Sequence, residues 1–179
     1  MTYYGARQLE DAFRTVRKNT VTIAEEIPAE QYGFRPAPGV RTVAELLAHI
    51  AVMPRWHQAV HGERMTFIDF EYFGRSLAKA ASEEQQLRSK DEILTALREG
   101  GEQFAAFLGS LSEETLAEQV GFPAPVAPPT KSRFEMLLSA KEHEMHHRGQ
   151  LMLIERQLGL VPHVTRARQA MAAAQPARA

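Results

Sequence analysis

The sequence predicts an all-α protein, a four-helix bundle with a long connection between its second and third helices. Three observations carry this. Apolar residues recur at three- and four-residue spacing over four long segments, as in helices with one buried face. Three of these segments open on a capping box: Thr42-Val43-Ala44-Glu45, Ser89-Lys90-Asp91-Glu92 and Ser132-Arg133-Phe134-Glu135. In each, a hydroxyl and a carboxylate satisfy the free backbone donors of a helix start. Proline-rich stretches separate the segments. A chain of 179 residues suits one domain with one core.

The first helix is expected from about Tyr4 to Ile27, with Leu9, Phe13, Val16, Ile23 and Ile27 inward and a packing role. Pro28 cannot continue it, and PAEQYGFRPAPGV, with three prolines and two glycines, reads as a loop. The second helix starts at Thr42, and its inward stripe is Leu46, His49, Met53, Trp56 and Val60. Pro54 predicts a kink. His57 and His61 lie near the helix end beside Gly62, where solvated histidines favoured by the helix dipole are expected.

Residues 63–88 are the least readable. MTFIDFEYF has strand-like composition, but a lone strand in a helical chain has nothing to pair with. The expectation is a connection with a short helix around Phe70–Ala81, long enough to cross the length of a bundle. The third helix begins at Ser89 and presents Ile93, Leu97, Phe104, Phe107, Leu108 and Leu111. Gly100-Gly101 interrupts it at roughly 1 kcal/mol per glycine relative to alanine, and permits a close approach, a bend or a break. Ser112 can start a short extra turn through Glu118. GFPAPVAPPT, with four prolines in ten residues, reads as a loop.

The fourth helix runs from Ser132 to about Leu158, with Gly159 as its terminating glycine and Pro162 beyond. Its inward stripe is Leu137, Ala140, Glu144 or His143, His147, Leu151, Ile154 and Leu158. Gly149 suggests close packing. Residues 1–162 therefore form the bundle. Residues 163–179 form a C-terminal tail that starts as a helical turn or two and ends mobile.

Composition narrows the function. The net charge is −1 and no basic run is present, so nucleic acid is not an expected partner. No apolar run reaches about 18 residues, so no membrane span is expected. The N-terminus carries charges where a signal peptide needs an apolar region, and a cytoplasmic location is expected. With no cysteine there is no disulfide, no thiol nucleophile and no thiolate metal site.

The stretch KEHEMHHRGQ holds His143, His146 and His147 within five residues. Residues four apart share a helix face, so His143 and His147 can grip one divalent ion. His49 interrupts the inward stripe of the second helix and is the candidate third ligand, because bundles build metal sites from facing helices. Three protein ligands with one position left open is the pattern of a catalytic site. The plain alternative for each is a satisfied core histidine or a solvated one. His146, one residue off the His147 face, reads as a group that supports a ligand from behind or faces solvent. Met53 and Trp56 read as core or pocket wall.

His143-Glu144-Met145-His146-His147 also spells H-E-x-x-H, the zinc-protease pattern with Glu144 as general base. The context is missing. Downstream stand only His163, past Gly159 and Pro162, and Glu155, eight residues on. No strand is available to hold a peptide. Glu144 then reads as a carboxylate that orients a ligand imidazole from behind.

FRPAPGVRTVAELLAHIA followed by HEMHHRGQLMLIERQLGLVP resembles the DinB/YfiT-like family of metal-binding four-helix proteins. The resemblance implies an up-down-down-up bundle. It also implies zinc or nickel near one end, held by His49, His143 and His147. Relatives include S-transferases and an isomerase that use a low-molecular-weight thiol, and here such a thiol would have to come from outside the chain. Hydrolysis and a non-catalytic, stress-associated metal-binding module are the alternatives. A small-molecule substrate, with specificity set in residues 63–130, and a homodimer are implied as well. Arg148 and Gln150 lie in the matched signature, as an anion contact and a hydrogen bond behind a ligand. Helical angle turns both from the His143/His147 face, so an exposed arginine and a packing glutamine are expected instead. Arg35 reads as a structural loop contact.

Overall fold

The computed structural model describes residues 4–174. The chain is all-α apart from one small β element. Helix α1 spans Ala6–Glu26, and a single 3-10 turn, Ala29–Gln31, follows Pro28. The expected second helix is two: α2, Val43–Val52, and α3, Pro54–Gly62. Pro54 has no N–H to donate and sits where a new helix tolerates it, at the first position. Then come α4, Phe70–Gln86, α5, Lys90–Gly109, and the short α6, Glu113–Ala117. Helix α7 is Arg133–Gln157 and α8 is His163–Ala174. All three predicted capping boxes close as expected, at Thr42/Glu45, Ser89/Glu92 and Ser132/Glu135.

Buried apolar residues gather in three places. One cluster joins Ile23 of α1 and Ile27 just past its end, Leu47 and Ile50 of α2, Ile93 and Leu97 of α5, and Leu151 and Ile154 of α7. A second joins Leu9 and Phe13 of α1, Phe104 and Leu108 of α5, and Leu137 of α7. A third lies under Val60, Ile68, Val120 and Met136. Between the first two sits a buried ion pair, Arg17–Glu144, at 2.9 Å. Arg17 also donates to the carbonyls of Leu97 and Ile50, and so ties α1, α2, α5 and α7 together. The first helix is therefore more than packing. Gly101 makes room for this arginine, since a Cβ there would stand 2.7 Å from Arg17 Cγ.

Several expectations need correction. The helix in the second connection is longer than Phe70–Ala81 and runs to Gln86. The aromatic stretch before it does find partners. Strands β1, Gln119–Gly121, and β2, Thr130–Ser132, pair antiparallel, and Phe67 bridges to Gly121. The proline-rich loop between them hid this hairpin, because its strands are only three residues each. Gly149 marks no close packing, as nothing lies within 4 Å of where its Cβ would be. Gly159 does end α7, with φ +79°. The tail is helical through Ala174 and is tied to α1 by His163 Nε2 and Asn19 Oδ1 at 3.2 Å and by Arg166 to Glu26. Its expected mobile end falls on residues 175–179, outside the described residues. Among the described residues no helix is long and apolar enough to cross a membrane.

Candidate metal centre

His49, His143 and His147 come together, each offering a ring nitrogen within 4.8 Å of the others. His49 Nε2 and His143 Nε2 are 3.0 Å apart, and His143 Nε2 and His147 Nε2 are 3.1 Å apart. Helical spacing on α7 stacks His143 and His147, and the inward stripe of α2 carries His49 across to them. Imidazole nitrogens bound to one zinc ion at ~2.0–2.1 Å stand ~3.3 Å apart at tetrahedral angles. The three rings are close to that spacing already.

The atoms behind the rings decide which nitrogens carry protons. His49 Nδ1 is 2.7 Å from Glu84 Oε1. An ionised carboxylate only accepts, so Nδ1 carries the proton and Nε2 keeps its lone pair. His147 Nδ1 stands 2.8 Å from Gln150 Oε1, with the same consequence. Two lone pairs, on His49 Nε2 and His147 Nε2, thus converge on His143 Nε2, which bridges them as a hydrogen-bond donor without a metal and can give up that proton to join them around a cation. Burial, followed by the neighbouring rings His147 and His49, pushes the His143 pKa down to about 4. Burial lowers His147 as well. Neutral imidazoles are the form that binds metal. The donor set fits a borderline divalent ion such as zinc or nickel.

Other expected site residues stand elsewhere. Glu144 makes no hydrogen bond to a ligand imidazole. Its carboxylate is 2 % exposed and is held by Arg17, on the side of α7 turned toward α1. A base locked in that pair cannot serve as the glutamate of a zinc protease. Gln150 was expected to pack and instead meets His147, because a long flexible amide reaches back one turn to an imidazole at i−3. His146 is exposed and receives a hydrogen bond from Gln150 Nε2 at 3.1 Å. Arg148 lies near the tail, where burial lowers the His163 pKa and the charges of Arg166 and Arg148 add to the shift. Arg35 binds the Val40 carbonyl and Glu45, as a loop contact.

His57 and His61 are not solvated; they are 5 % and 1 % exposed. The break at Met53 re-aims α3, so a face that reads as terminal packs inward. Their rings stack with centroids 6.1 Å apart. Arg133, fully buried, contacts His61 Nδ1 at 3.3 Å, Met65 O at 2.9 Å and Glu118 Oε2 at 2.8 Å. Burial drives the His57 pKa to about 3 and His61 to about 4, the latter helped by the Arg133 charge.

Met53 and Trp56 line a groove of about 290 Å³ between α3 and α4, with Tyr72, Arg75, Lys79 and Glu83 opposite. Met53 is one turn after His49 and Glu83 adjoins Glu84, while none of the three histidines lines the groove itself. Glu84 was missed by sequence reasoning, and so was Arg17. The signal for Arg17 was a charge on the Phe13–Thr20–Ala24 stripe. Glu84 had none, being one acid among several on an exposed helix.

Comparison with known proteins bears on the family and the fold. The chain is 23% identical over 157 residues to the uncharacterized protein YjoA of Bacillus subtilis (strain 168), covering 86% of this chain and 91% of that protein. The crystal structure of YjoA, described as a DinB-like protein, superposes with a TM-score of 0.63 at 25% identity, covering 85% of this chain and 92% of that one. An uncharacterized protein from Clostridium difficile 630 shares the fold with a TM-score of 0.64 at 13% identity, covering 87% of this chain and 98% of that one. Residues 12–151 match the sequence profile of the DinB superfamily, and the chain belongs to that family.

Proposed function

We propose that the protein is a metal-dependent enzyme in which His49, His143 and His147 hold one zinc or nickel ion and leave a coordination position open. The observation that carries this is the convergence of three Nε2 atoms at 3.0 and 3.1 Å, with Glu84 and Gln150 behind two of the rings. When bound, such an ion supplies Lewis acidity and favours the anionic form of a thiol or of water. The chain's own part is to fix the three rings, hold them neutral, and offer the groove at Met53, Trp56 and Tyr72 to a small substrate. The chain has no cysteine, so in thiol transfer the nucleophile is a low-molecular-weight thiol from outside. Hydrolysis is the second chemistry the same donor set supports. An up-down-down-up bundle belongs to this reading. It is supported by the grouping of the C-terminal residues of α1 and α7 with the N-terminal residues of α2 and α5. A homodimer belongs to it too. The exposed Phe67 before α4 and Phe70, Phe73 and Leu77 on it support that reading, and sedimentation checks it.

The test is metal content of untagged protein purified without chelator, beside His143→Ala. About one equivalent in the parent and almost none in the variant is expected. A screen of thiols with electrophiles then separates an enzyme from a metal-binding module without turnover. Metal in neither protein, and none taken up on titration, would sink the reading.

A further inference from the structure

Two of the three proposed ligands are held from behind: His49 by Glu84 and His147 by Gln150. His143 is the exception. Its Nε2 faces the other two rings, and its Nδ1 has no hydrogen-bond partner among the described residues. Metal-ligating histidines almost always donate their second N–H, because that bond fixes the tautomer and the ring plane. A partner for His143 is therefore worth looking for.

Beside His143 lies a small cavity of about 10 Å³, at the break between α2 and α3. Ile50, Met53, Pro54 and Ala140 form its apolar walls, and its polar members are His143, Glu144 and His57. That volume is about what one water requires, and a buried water needs two to four polar partners. His57 also lacks a partner and is more deeply placed than the half-buried His143. It is 5 % exposed, its Nδ1 is sealed from solvent without a partner, and its ring makes no hydrogen bond among the described residues. Buried polar atoms are seldom left so. Glu144 has both oxygens on Arg17, but a carboxylate accepts about four hydrogen bonds and has capacity left.

We infer that His57 is a positioning residue for His143, acting through one water held in the cavity between the α2–α3 break and α7. With Nε2 given to an ion, His143 would carry its proton on Nδ1, and the water would accept that N–H and donate to His57 and to Glu144. This completes three bonds and gives the third ligand the same support as the other two. It also gives Pro54 a role, since the helix break it imposes forms the wall of the cavity and sets the ring of His57 against it. The inference rests on the three-histidine reading, with His57 outside the ligand set.

The test uses the full chain with zinc alone as probe. Affinity is measured by competition with a chromophoric chelator for the parent, His57→Leu and His57→Gln. Thermal unfolding of each metal-free protein separates misfolding from a local effect. His57→Leu should bind zinc about tenfold to a hundredfold more weakly, and His57→Gln, which keeps a hydrogen-bonding group, should recover most of the loss. A merely structural histidine gives no such rescue. Parent-like affinity in His57→Leu, or loss in both variants with unfolding unchanged, would overturn the inference. Long-range ¹H–¹⁵N spectra and water NOEs on the metal-free parent give an independent reading. A long-lived water touching both the His57 and His143 rings is expected, and its absence refutes the bridge. If the parent takes up no zinc, the functional reading fails, while these spectra still decide the His57–His143 link.

Discussion

His143/His147 and His57/His61 are both histidine pairs four residues apart on a helix, and they face opposite chemical fates. What differs is the group behind each ring. A carboxylate stands behind His49 and an amide oxygen behind His147, so the protons sit at the back and the lone pairs point forward to a shared centre. Behind His61 stands the Arg133 guanidinium, which can only donate and so takes the Nδ1 lone pair. The remaining His61 Nε2 then carries a proton and has no partner. The same guanidinium repels any cation. Spacing makes a pair; the charge behind it decides whether the pair can hold a metal.

The sharpest way to break this comparison is to delete a ligand. His49→Ala, His143→Ala or His147→Ala should each take metal content from about one equivalent to near zero, whereas His61→Ala should leave it near the parent level. Full metal retention in His49→Ala would show that the α7 pair needs no third ring. A second large effect tests the carboxylate that lies between the α7 ligands in sequence but not in role. Arg17→Met leaves Glu144 buried and unpaired, and should lower stability by about 3–5 kcal/mol in denaturant unfolding. Glu144→Gln, measured for metal content, should still take up metal, because that carboxylate is held by Arg17 of α1.

A smaller effect is expected at the group behind the ring. Glu84→Ala should weaken zinc binding about tenfold to a hundredfold, with Glu84→Gln intermediate. No change in either would mean that the 2.7 Å contact does not set the His49 tautomer.

The smallest effects lie in the pH dependence of stability, and they have opposite signs. His57 and His61 are held neutral, at about 3 and 4 against an ordinary 6.5, so the unfolded chain takes up protons that the native pair refuses. Their stability contribution is complete above about pH 6.5 and is lost as the pH falls toward 4 and 3. Glu155 is buried with neither oxygen partnered, and burial raises its pKa to about 7, with Glu26 adding to the shift. The native state keeps that proton where the unfolded state releases it, so this contribution is present below about pH 4.5 and is lost as pH rises to 7. Glu155→Gln should flatten the alkaline side of a melting-temperature profile, and His61→Leu the acid side.

The helices that carry the site were legible from capping boxes and stripes, and the α7 pair from spacing alone. His49 was legible as a polar residue at a core position. Its meeting with α7 came from the LLAH and H-x-x-x-H-R-G-Q resemblance, because periodicity orients a side chain about its own axis and says nothing of the level at which two helices cross. Glu84 was not legible. It lies 35 residues from His49 on a helix none of whose residues is buried. His57 and His61 were misread because Pro54 restarts the helix, and the stripe drawn through it no longer describes α3. Gln150 was misread because angle was weighed and side-chain length was not.

The sequence by itself determined the helical class, the three helix starts, the α7 ligand pair and the absence of any thiol from the chain. These follow from local chemistry, in which backbone donors need caps and side chains four apart share a face. Only the tertiary structure decided which polar groups stand behind which rings: Glu84 and Gln150 at the metal centre, Arg17 on Glu144, Arg133 on His61. Proton placement depends on the nearest charge in space, and in a bundle that charge comes from another helix.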